Sequence, residues 1–292
     1  MSAVRSVLHD VLHRAVRALA ERLGYVTLWK TYYIPVPDFA KLPESVWQRR
    51  SPMLAVTWDL DRASTWLDEL WIRAEEPWAA AVRARPGLSA NAGFGQADAA
   101  VLFATIVARQ PRRIVELGAG HSTVITAEAV AYLRERKGLS VDVTTFDPFP
   151  PTIVRSVNHP VRPIAAQNIP PEVFGSLTAG DILFVDTTHT VQLAGDVNHI
   201  ILDVLPTLEP GVLVHFHDIF LPYEYPRALV EGLRYLWAEQ YLLQAFLQFN
   251  DDFEILCPLH ALSVKRSEEM KRLGLNGVES PPPSSFWLRR VR

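Results

Sequence analysis

The sequence predicts an α/β protein with a doubly wound, mostly parallel sheet of seven strands, preceded by a helical N-terminal region. From residue 95 onward, short apolar runs of strand length alternate with longer segments of helical period. That alternation is typical of a parallel sheet with helices on both faces. Residues 1 to 90, by contrast, read as helices joined by proline-marked loops, with four prolines between residues 35 and 52.

Composition and charge exclude several classes of protein. Of the 292 residues, 49% are hydrophobic and 21% are charged, which is ordinary for a globular protein. A net charge of -3 gives no electrostatic case for nucleic acid. The longest nearly apolar run, residues 99–108, is too short to span a bilayer. Cys257 is the single cysteine, which excludes a disulfide framework and a cysteine zinc site. We therefore expect a cytoplasmic protein.

The N-terminal segment has helical period, with one apolar face that contains Val4, Leu8, Val11, Ala15 and Leu19. It is rich in arginine and lacks the uninterrupted apolar core of a secretory signal. A transit peptide is an alternative. We favour a helical cap over residues 1–90 that packs on the main domain or, in a homo-oligomer, on a second subunit.

The predicted elements follow one another in a regular order. Helices are predicted at 96–110, 122–138, 194–208 and 226–248, and strands at 112–117, 141–147, 161–166, 181–186, 211–216, 253–257 and 286–291. The last two strands are expected to pair antiparallel at the edge of the sheet. The strand over 181–186 and the strand over 211–216 are nearly continuous apolar runs, as expected for strands buried on both faces.

A glycine turn, ELGAGHST, follows the first strand at residues 116–123. In open α/β sheets, ligands bind beyond the carboxyl ends of the strands. Gly118 and Gly120 permit backbone angles that other residues avoid, and Ser122 and Thr123 are available as helix caps. Thr123 stands where a dinucleotide fingerprint has its third glycine, and Glu116 places a negative charge where a pyrophosphate would lie. A cationic ligand fits better, although the turn could also be purely structural.

Asp147 ends the next strand, where a carboxylate can accept hydrogen bonds from both hydroxyls of a ribose. It could instead only cap its loop. Together, the turn and this acid predict a nucleoside-bearing ligand. One class of protein that binds such a ligand is the NAD(P)-dependent oxidoreductases. The incomplete glycine fingerprint counts against this alternative.

Two later strand ends carry a second set of polar residues, Asp186, His189, His217 and Asp218. The two aspartates are hard ligands suited to Mg²⁺, Ca²⁺ or Mn²⁺. His189 has the right chemistry for a general base, since the unperturbed pKa of histidine lies near neutrality. Three of the four also have a structural alternative: a capping Asp218, a packed His217 or a surface His189. His215, deeper in the strand, is interpreted as a hydrogen-bonded core histidine. Two histidines and a carboxylate could also bind iron in an oxygenase, but such sites usually lie on β-sandwiches.

The motifs VELGAGHST, FDP and DILFVDTTH…GDV…LPTLEPGVLVHFHDIF resemble those of class I S-adenosylmethionine-dependent methyltransferases, a family with a Rossmann-like sheet. The branch that they resemble includes macrolide-sugar O-methyltransferases and uncharacterised bacterial proteins. The resemblance covers about residues 91–292, which we take as the methyltransferase domain, and it implies a role in secondary metabolism. No motif of the first 90 residues is tied to a reaction.

The resemblance implies a cofactor site for S-adenosyl-L-methionine. The residues expected at the cofactor are Glu116, Gly118, Ala119, Gly120, His121, Ser122, Thr123, Asp147, Pro148, Gln167, Asn168 and Asp186. Asn91 is added to them by its position just before the sheet, where its segment could fold over the cofactor. The turn would hold the methionine part, Asp147 the ribose, and Gln167 or Asn168 would lie near the adenine.

The same resemblance implies metal-assisted O-methylation of a small hydroxylated acceptor. His189 would be the base, Asp186 and Asp218 catalytic, and Asp186, His217 and Asp218 the ligands of Mg²⁺ or another divalent metal. His217 departs from the pattern, which has an acid there, so it either ligates a softer metal or does not ligate. A non-catalytic relative that only binds partners is an alternative. The acceptor is not readable from the sequence.

Overall fold

The structure, a computed structural model, describes residues 3–28, 31–89, 93–273 and 282–292. The chain divides into two units, residues 1–43 and 44–292. The smaller unit contains helix α1 (Ala3–Arg22) and a 3-10 turn, Phe39–Lys41. In α1, the side chains of Leu12, Val16 and Leu19 are exposed.

The larger unit contains the sheet and the remaining helices. The strands are β1 (Arg113–Leu117), β2 (Asp142–Phe146), β3 (Val161–Arg162), β4 (Ile182–Val185), β5 (Leu213–Phe216), β6 (Phe253–Pro258) and β7 (Phe286–Arg290). The α-helices are α2 (Leu60–Ala84), α3 (Gln96–Arg109), α4 (His121–Lys137), α5 (Pro171–Phe174), α6 (Asp196–His199), α7 (Glu239–Leu247), α8 (Leu259–Lys265) and α9 (Ser267–Arg272). Shorter turns are Glu44–Gln48, Pro86–Ser89, Thr152–Ser156, Ala166–Asn168, Leu205–Thr207 and the π-helical Ile200–Val204 and Ala228–Gly232.

The sheet has seven strands in the order β3-β2-β1-β4-β5-β7-β6. Strands β1 to β5 pair in parallel, and β7 pairs antiparallel with both β5 and β6. The predicted α/β class, the mostly parallel sheet and its seven strands are therefore confirmed. Of the last two strands, β6 lies at one edge of the sheet, whereas β7 lies inside it.

Both faces of the sheet are buried. Ile114 and Phe184 project towards one apolar layer, which includes Leu70 of α2 and Phe103 of α3. Neighbouring strand residues project to the opposite layer with Ile200 and Leu243. Because successive strand side chains alternate between faces, strands covered on both sides read as continuous apolar runs. This is why β4 and β5 were recognisable in the sequence.

The register of the parallel strands aligns their carboxyl ends. Leu117 pairs with Phe146 of β2 and with Val185 of β4, and Val185 pairs with Phe216 of β5. The residues that follow these strand ends therefore share one rim of the sheet. The glycine turn, Asp147, Asp186 and His217 all begin there.

One predicted helix is not continuous. The segment 226–248 has a π-helical turn at Ala228–Gly232, an irregular stretch at 233–238 and then α7. Leu233 is 57% exposed, whereas Leu243 and Leu247 are buried. The prediction of one long helix is wrong because the main-chain N–H groups of Ala238 and Glu239 hydrogen-bond to the carbonyl of His189, in the loop after β4.

Helix α2 belongs to the larger unit and packs against α3. Trp66, Trp71 and Trp78 of α2 are buried in the apolar layer on that face of the sheet. The division of the chain into a cap at 1–90 and a domain at 91–292 stays a prediction. Within the described ranges, no helix combines the length and apolar character needed to cross a bilayer.

Candidate active site

The turn after β1 approaches β4 very closely. Gly118 has φ +88°, a conformation that L side chains rarely adopt. A Cβ atom built on Gly118 would lie 1.7 Å from the main-chain oxygen of Asp186. Gly118 N–H donates to the Phe146 carbonyl, and Asp186 N–H donates to the Leu117 carbonyl. Glycine is therefore required at 118 so that three strand ends can meet.

Gly120 differs from Gly118. Its φ of -177° is extended backbone, so the expectation of a restricted conformation is wrong at this position. A Cβ atom there would meet no atom of the described residues within 4 Å. Gly120 N–H donates to Thr123 Oγ1 at 2.9 Å, and α4 begins at the next residue. The main chain at Gly120 is thus accessible at the start of a helix, where N–H groups lack intrahelical partners.

Glu116 is fully buried, and its carboxylate contacts protein hydroxyls. Ser122 Oγ donates to one carboxylate oxygen at 2.8 Å, and Thr145 Oγ1 donates to the other at 2.6 Å. Burial raises the pKa of Glu116 to about 7, against the lowering effect of those hydrogen bonds. In the described structure Glu116 joins β1, β2 and the start of α4. Its contact with a cofactor amine stays a prediction.

Asp147 holds the neighbouring loop. Its carboxylate accepts from Ala119 N–H at 2.8 Å and from Phe149 N–H at 2.6 Å. A carboxylate has about four lone-pair sites, so these two bonds leave each oxygen able to accept another. Asp147 is half-buried and contributes to the wall of a cavity.

That cavity has a volume of about 480 Å³, within the range of small-molecule sites. Its lining residues are Gly118, Phe146, Asp147, Pro148, Phe149, Ala165, Ala166, Gln167, Asp186, Thr187, Thr188, Gln192 and Asp196. Five predicted cofactor residues are among them: Gly118, Asp147, Pro148, Gln167 and Asp186. Asp196, a residue that the sequence analysis missed, accepts from the main chain and the hydroxyl of Thr188 and orders this wall.

The other predicted cofactor residues do not line the cavity. Glu116, Ser122 and Thr123 are buried behind the turn, Ala119 N–H binds Asp147, and His121 Nε2 lies 2.8 Å from the Leu88 carbonyl. Gly120 directly precedes α4, and Asn168 is exposed. Asn91 lies outside the described residues.

The second set of polar residues converges on the same rim. One ligand atom from each of Asp186, His217 and Asp218 can be chosen so that all lie within 4.8 Å of one another. His217 Nδ1 lies 3.8 Å from Asp186 Oδ1 and 3.6 Å from Asp218 Oδ1. His189 Nε2 lies 3.3 Å from Asp186 Oδ1 and 3.5 Å from Asp218 Oδ2. The expected meeting of all four residues is therefore present.

His217 is supported from behind by residues that the sequence analysis missed. Its Nε2 lies 3.3 Å from Ser284 Oγ and 3.7 Å from Asp98 Oδ2. Asp98 is buried in α3 and also accepts from the Ser284 and Ser285 N–H groups. The acidic residue in an otherwise apolar helix was a signal available in the sequence. Metal-binding histidines commonly donate their second ring nitrogen to such a partner.

The carboxylates determine the charge of the histidines. Burial alone would lower the pKa of His189, but hydrogen bonds with Asp186 and Glu239 outweigh it and raise the pKa to about 10. For His217, the charges of Asp218 and Asp186 likewise outweigh burial and raise the pKa well above its usual value. The carboxylates thus hold the pKa of His189 above the unperturbed histidine value, and its role as a base stays a prediction. His215 fits its structural interpretation: it is buried, lies 3.0 Å from Ser285 Oγ and stacks on Phe184.

Backbone conformation also distinguishes this rim. His189 and Asp218 both have φ +56°, in the left-handed region that non-glycine residues seldom occupy. Such conformations persist where surrounding contacts enforce them, and they concentrate at functional sites. Together with the cavity and the converging side chains, they mark the carboxyl edge of the sheet as the candidate active site.

One comparison with protein families bears on the class of this protein. Residues 115–219 match a family model described as a methyltransferase domain. The matched segment, from β1 to the residue after Asp218, is similar to a methyltransferase domain, in agreement with the resemblance seen in the sequence. The match does not support the oxidoreductase alternative. The branch containing sugar O-methyltransferases stays a prediction.

Crystal structures of the plantazolicin methyltransferase BpumL are among the similar solved structures. Its complexes with triazolic, monoazolic and pentazolic desmethylPZN analogs and SAH are 11%, 10% and 9% identical to this chain, each with a TM-score of 0.38. Each match covers 80% of this chain and 99% of the other. A search of curated proteins gives no match.

Proposed function

We propose that this protein transfers a methyl group from S-adenosylmethionine to a hydroxyl oxygen of a small molecule at the rim described here. The observation that carries the proposal is the position of Asp186. It lines the 480 Å³ cavity, and its carboxylate lies 3.3 Å from His189 Nε2. The cofactor cavity and the polar cluster are therefore adjacent and share one residue.

The residues around the cavity fit the cofactor. The accessible main chain at Gly120 suits a close approach by its methionine part, and Asp147 retains lone pairs for two ribose hydroxyls. Phe146 and Ala166 provide apolar surface beside Gln167 for the adenine. The sulfonium is positive, and Asp186 supplies a carboxylate on that side of the cavity.

The polar cluster fits a divalent metal. Two carboxylates and an imidazole backed by Ser284 and Asp98 form a mixed oxygen and nitrogen donor set. A metal ion bound by Asp186, His217 and Asp218 would lower the pKa of an acceptor hydroxyl and oppose protonation of the nearby His189.

In the proposed reaction, the acceptor lies between the cavity and His189. The S–CH₃ bond breaks as the O–CH₃ bond forms, and the cofactor leaves as S-adenosylhomocysteine. Where the charge of a metal held by Asp186, His217 and Asp218 keeps His189 neutral, its Nε2 would receive the proton of the hydroxyl. Asp186 and Asp218, at 3.3 and 3.5 Å, would stabilise the imidazolium that results. Holding oxygen and methyl in line supplies much of the rate.

Calorimetry with S-adenosylmethionine tests the cofactor, and release of S-adenosylhomocysteine tests the reaction. The acceptor panel contains phenols, catechols and sugars, each assayed with Mg²⁺ or Mn²⁺. We expect cofactor binding, and transfer that His189→Gln reduces about 100-fold while the cofactor affinity is retained. Absence of binding at millimolar cofactor would rule out the proposal, whereas transfer unaffected by His189→Gln would remove the base from it. Tight cofactor binding without turnover of any acceptor would favour the non-catalytic alternative.

A further inference from the structure

The break between residue 232 and α7 is tied to His189. The N–H groups of Ala238 and Glu239 donate to the His189 main-chain carbonyl at 2.9 and 3.2 Å. The chain therefore leaves helical geometry before α7 begins, and the first residue of α7 lies against the loop after β4. Two backbone hydrogen bonds fix this contact independently of any side chain.

The side chains make a second connection at the same place. His189 Nδ1 lies 2.8 Å from Glu239 Oε2, and both residues are buried, with 5% and 1% exposure. Trp237 packs on the imidazole, with ring centroids 4.6 Å apart. The imidazole is therefore held on one edge by a carboxylate and on another side by an indole.

The two nitrogens of His189 consequently face different surroundings. Nδ1 faces Glu239 in the interior, whereas Nε2 faces Asp186 and Asp218 at the rim. A carboxylate that accepts from one ring nitrogen fixes the ring orientation and leaves the other nitrogen for chemistry. A partner bound at Nδ1 is the requirement for a histidine that must present Nε2 to a substrate.

Apart from His189, the described contacts of the Glu239 side chain do not account for a carboxyl group at this buried position. Its Oε1 is buried without a hydrogen-bond partner among the described residues, and His189 is the partner of Oε2. Burying a carboxylate is costly unless it is paired. A glutamate at this position is accounted for by its contact with the histidine.

We propose that Glu239 is the positioning residue of His189, holding its Nδ1 so that Nε2 points at the acceptor side of the rim. The inference rests on the proposed function for the role of Nε2, but the contact itself can be tested without any acceptor. The occupant of the rim does not change which atom Glu239 holds.

The test is nuclear magnetic resonance of the full chain labelled with ¹⁵N-histidine. His189→Gln identifies the signals of His189. We expect the wild type to show a proton on Nδ1 of His189, far downfield and slow to exchange with water. In Glu239→Met that proton signal should be lost, because no acceptor remains, while thermal unfolding shows a folded chain.

Glu224→Gln is the matched control. Glu224 contacts Gln240 and Tyr241 of the same helix, and so its removal should leave the His189 signals unchanged. If Glu239→Met fails to fold, Glu239→Gln decides: a neutral acceptor should move the Nδ1 proton upfield. A wild type without a proton on Nδ1, or spectra unchanged in the folded Glu239 variants, would overturn the proposal.

Titration of the wild type with S-adenosylhomocysteine separates the two proposals. A chain that does not bind this product loses the proposed function, yet can still show the His189–Glu239 signature. A chain that binds it without that signature keeps the function and loses the positioning role.

Discussion

Gly118 and Asp186 touch through their main chains: a Cβ atom on Gly118 would lie 1.7 Å from the Asp186 carbonyl oxygen. This contact brings the turn after β1 directly onto the end of β4. The side chain of Asp186 then lies beside the cavity on one side and the histidines on the other. The close approach of the two strand ends thus joins the two parts of the candidate site.

Gly118→Ala is expected to destabilise the protein. The substitution adds a clash with main-chain atoms, which cannot move aside as a side chain can, to an unfavourable positive φ. We expect a loss of about 2–5 kcal/mol in the free energy of unfolding, measured by urea denaturation. Gly120→Ala is the control and should change stability by less than about 1 kcal/mol. Equal effects of the two substitutions would contradict this reading of the turn.

Although Gly120→Ala should leave stability nearly unchanged, it is expected to weaken cofactor binding. Its methyl group would project into the space beside the helix start, where no atom of the residues that the structure describes lies within 4 Å. If the methionine part of the cofactor lies there, the dissociation constant for S-adenosylhomocysteine should rise at least about tenfold. Isothermal titration calorimetry measures this. An unchanged affinity would place the cofactor elsewhere on the rim.

Asp147→Ala is expected to reduce cofactor affinity by about 10- to 100-fold, corresponding to roughly 1.5–3 kcal/mol for hydrogen bonds to a charged group. The variant loses both the ribose acceptor and the bonds that hold Ala119 and Phe149. Asp142→Ala, an exposed acid at the other end of β2, should bind the cofactor normally. Similar losses in both variants would indicate general damage to β2 and not loss of a ribose contact.

The proposed metal site predicts one divalent ion per chain. Because His217 contributes nitrogen where two aspartates contribute oxygen, Mn²⁺ should bind more tightly than Mg²⁺. Electron paramagnetic resonance titration with Mn²⁺ measures the stoichiometry. Asp218→Asn should abolish binding, whereas Asp203→Asn, at an exposed acid paired with His199, should not. Mn²⁺ binding that survives Asp218→Asn would remove the metal from the proposal.

The buried Glu116 predicts a particular pH dependence of stability. Its pKa is about 7 in the folded chain and 4.5 as the reference value, so the folded state binds the proton more tightly. The contribution is complete below about pH 4.5 and is lost as the pH rises to about 7. The wild type should therefore lose stability over this window relative to Glu116→Gln, by at most on the order of 3 kcal/mol. Chemical denaturation of both proteins at pH 5 and pH 8 gives the comparison. If the unfolding free energies of the two proteins change equally between these pH values, the prediction is refuted.

Much of the fold could be predicted because β1, β4 and β5 are covered on both faces. Apolar runs of strand length, separated by helical segments, are a direct consequence of that coverage. The residues just after the strands could be predicted as neighbours for the same reason, since parallel strands end at one rim. Gly118, Asp147, Asp186 and His217 were found in this way.

Other residues could not be predicted from local pattern. Glu239 and Trp237 lie in a segment whose leucines are spaced as in a helix, and the interruption is produced by hydrogen bonds to His189, 50 residues earlier. Likewise, the roles of Gly118 and Gly120 look alike in the sequence. Only the structure shows that a side chain at Gly118 would clash with the main chain of Asp186, whereas one at Gly120 would meet no described atom within 4 Å.

The sequence by itself determined the α/β class, the polar residues that follow the successive strands and the methyltransferase resemblance. Periodicity and strand-end residues are local properties, which is why they can be recognised in the sequence. The tertiary structure decided which nitrogen of His189 faces the rim, how its pKa is raised, and which carboxylates support the two histidines. Those properties depend on distances between segments far apart in the chain, and on burial that strengthens each electrostatic contact.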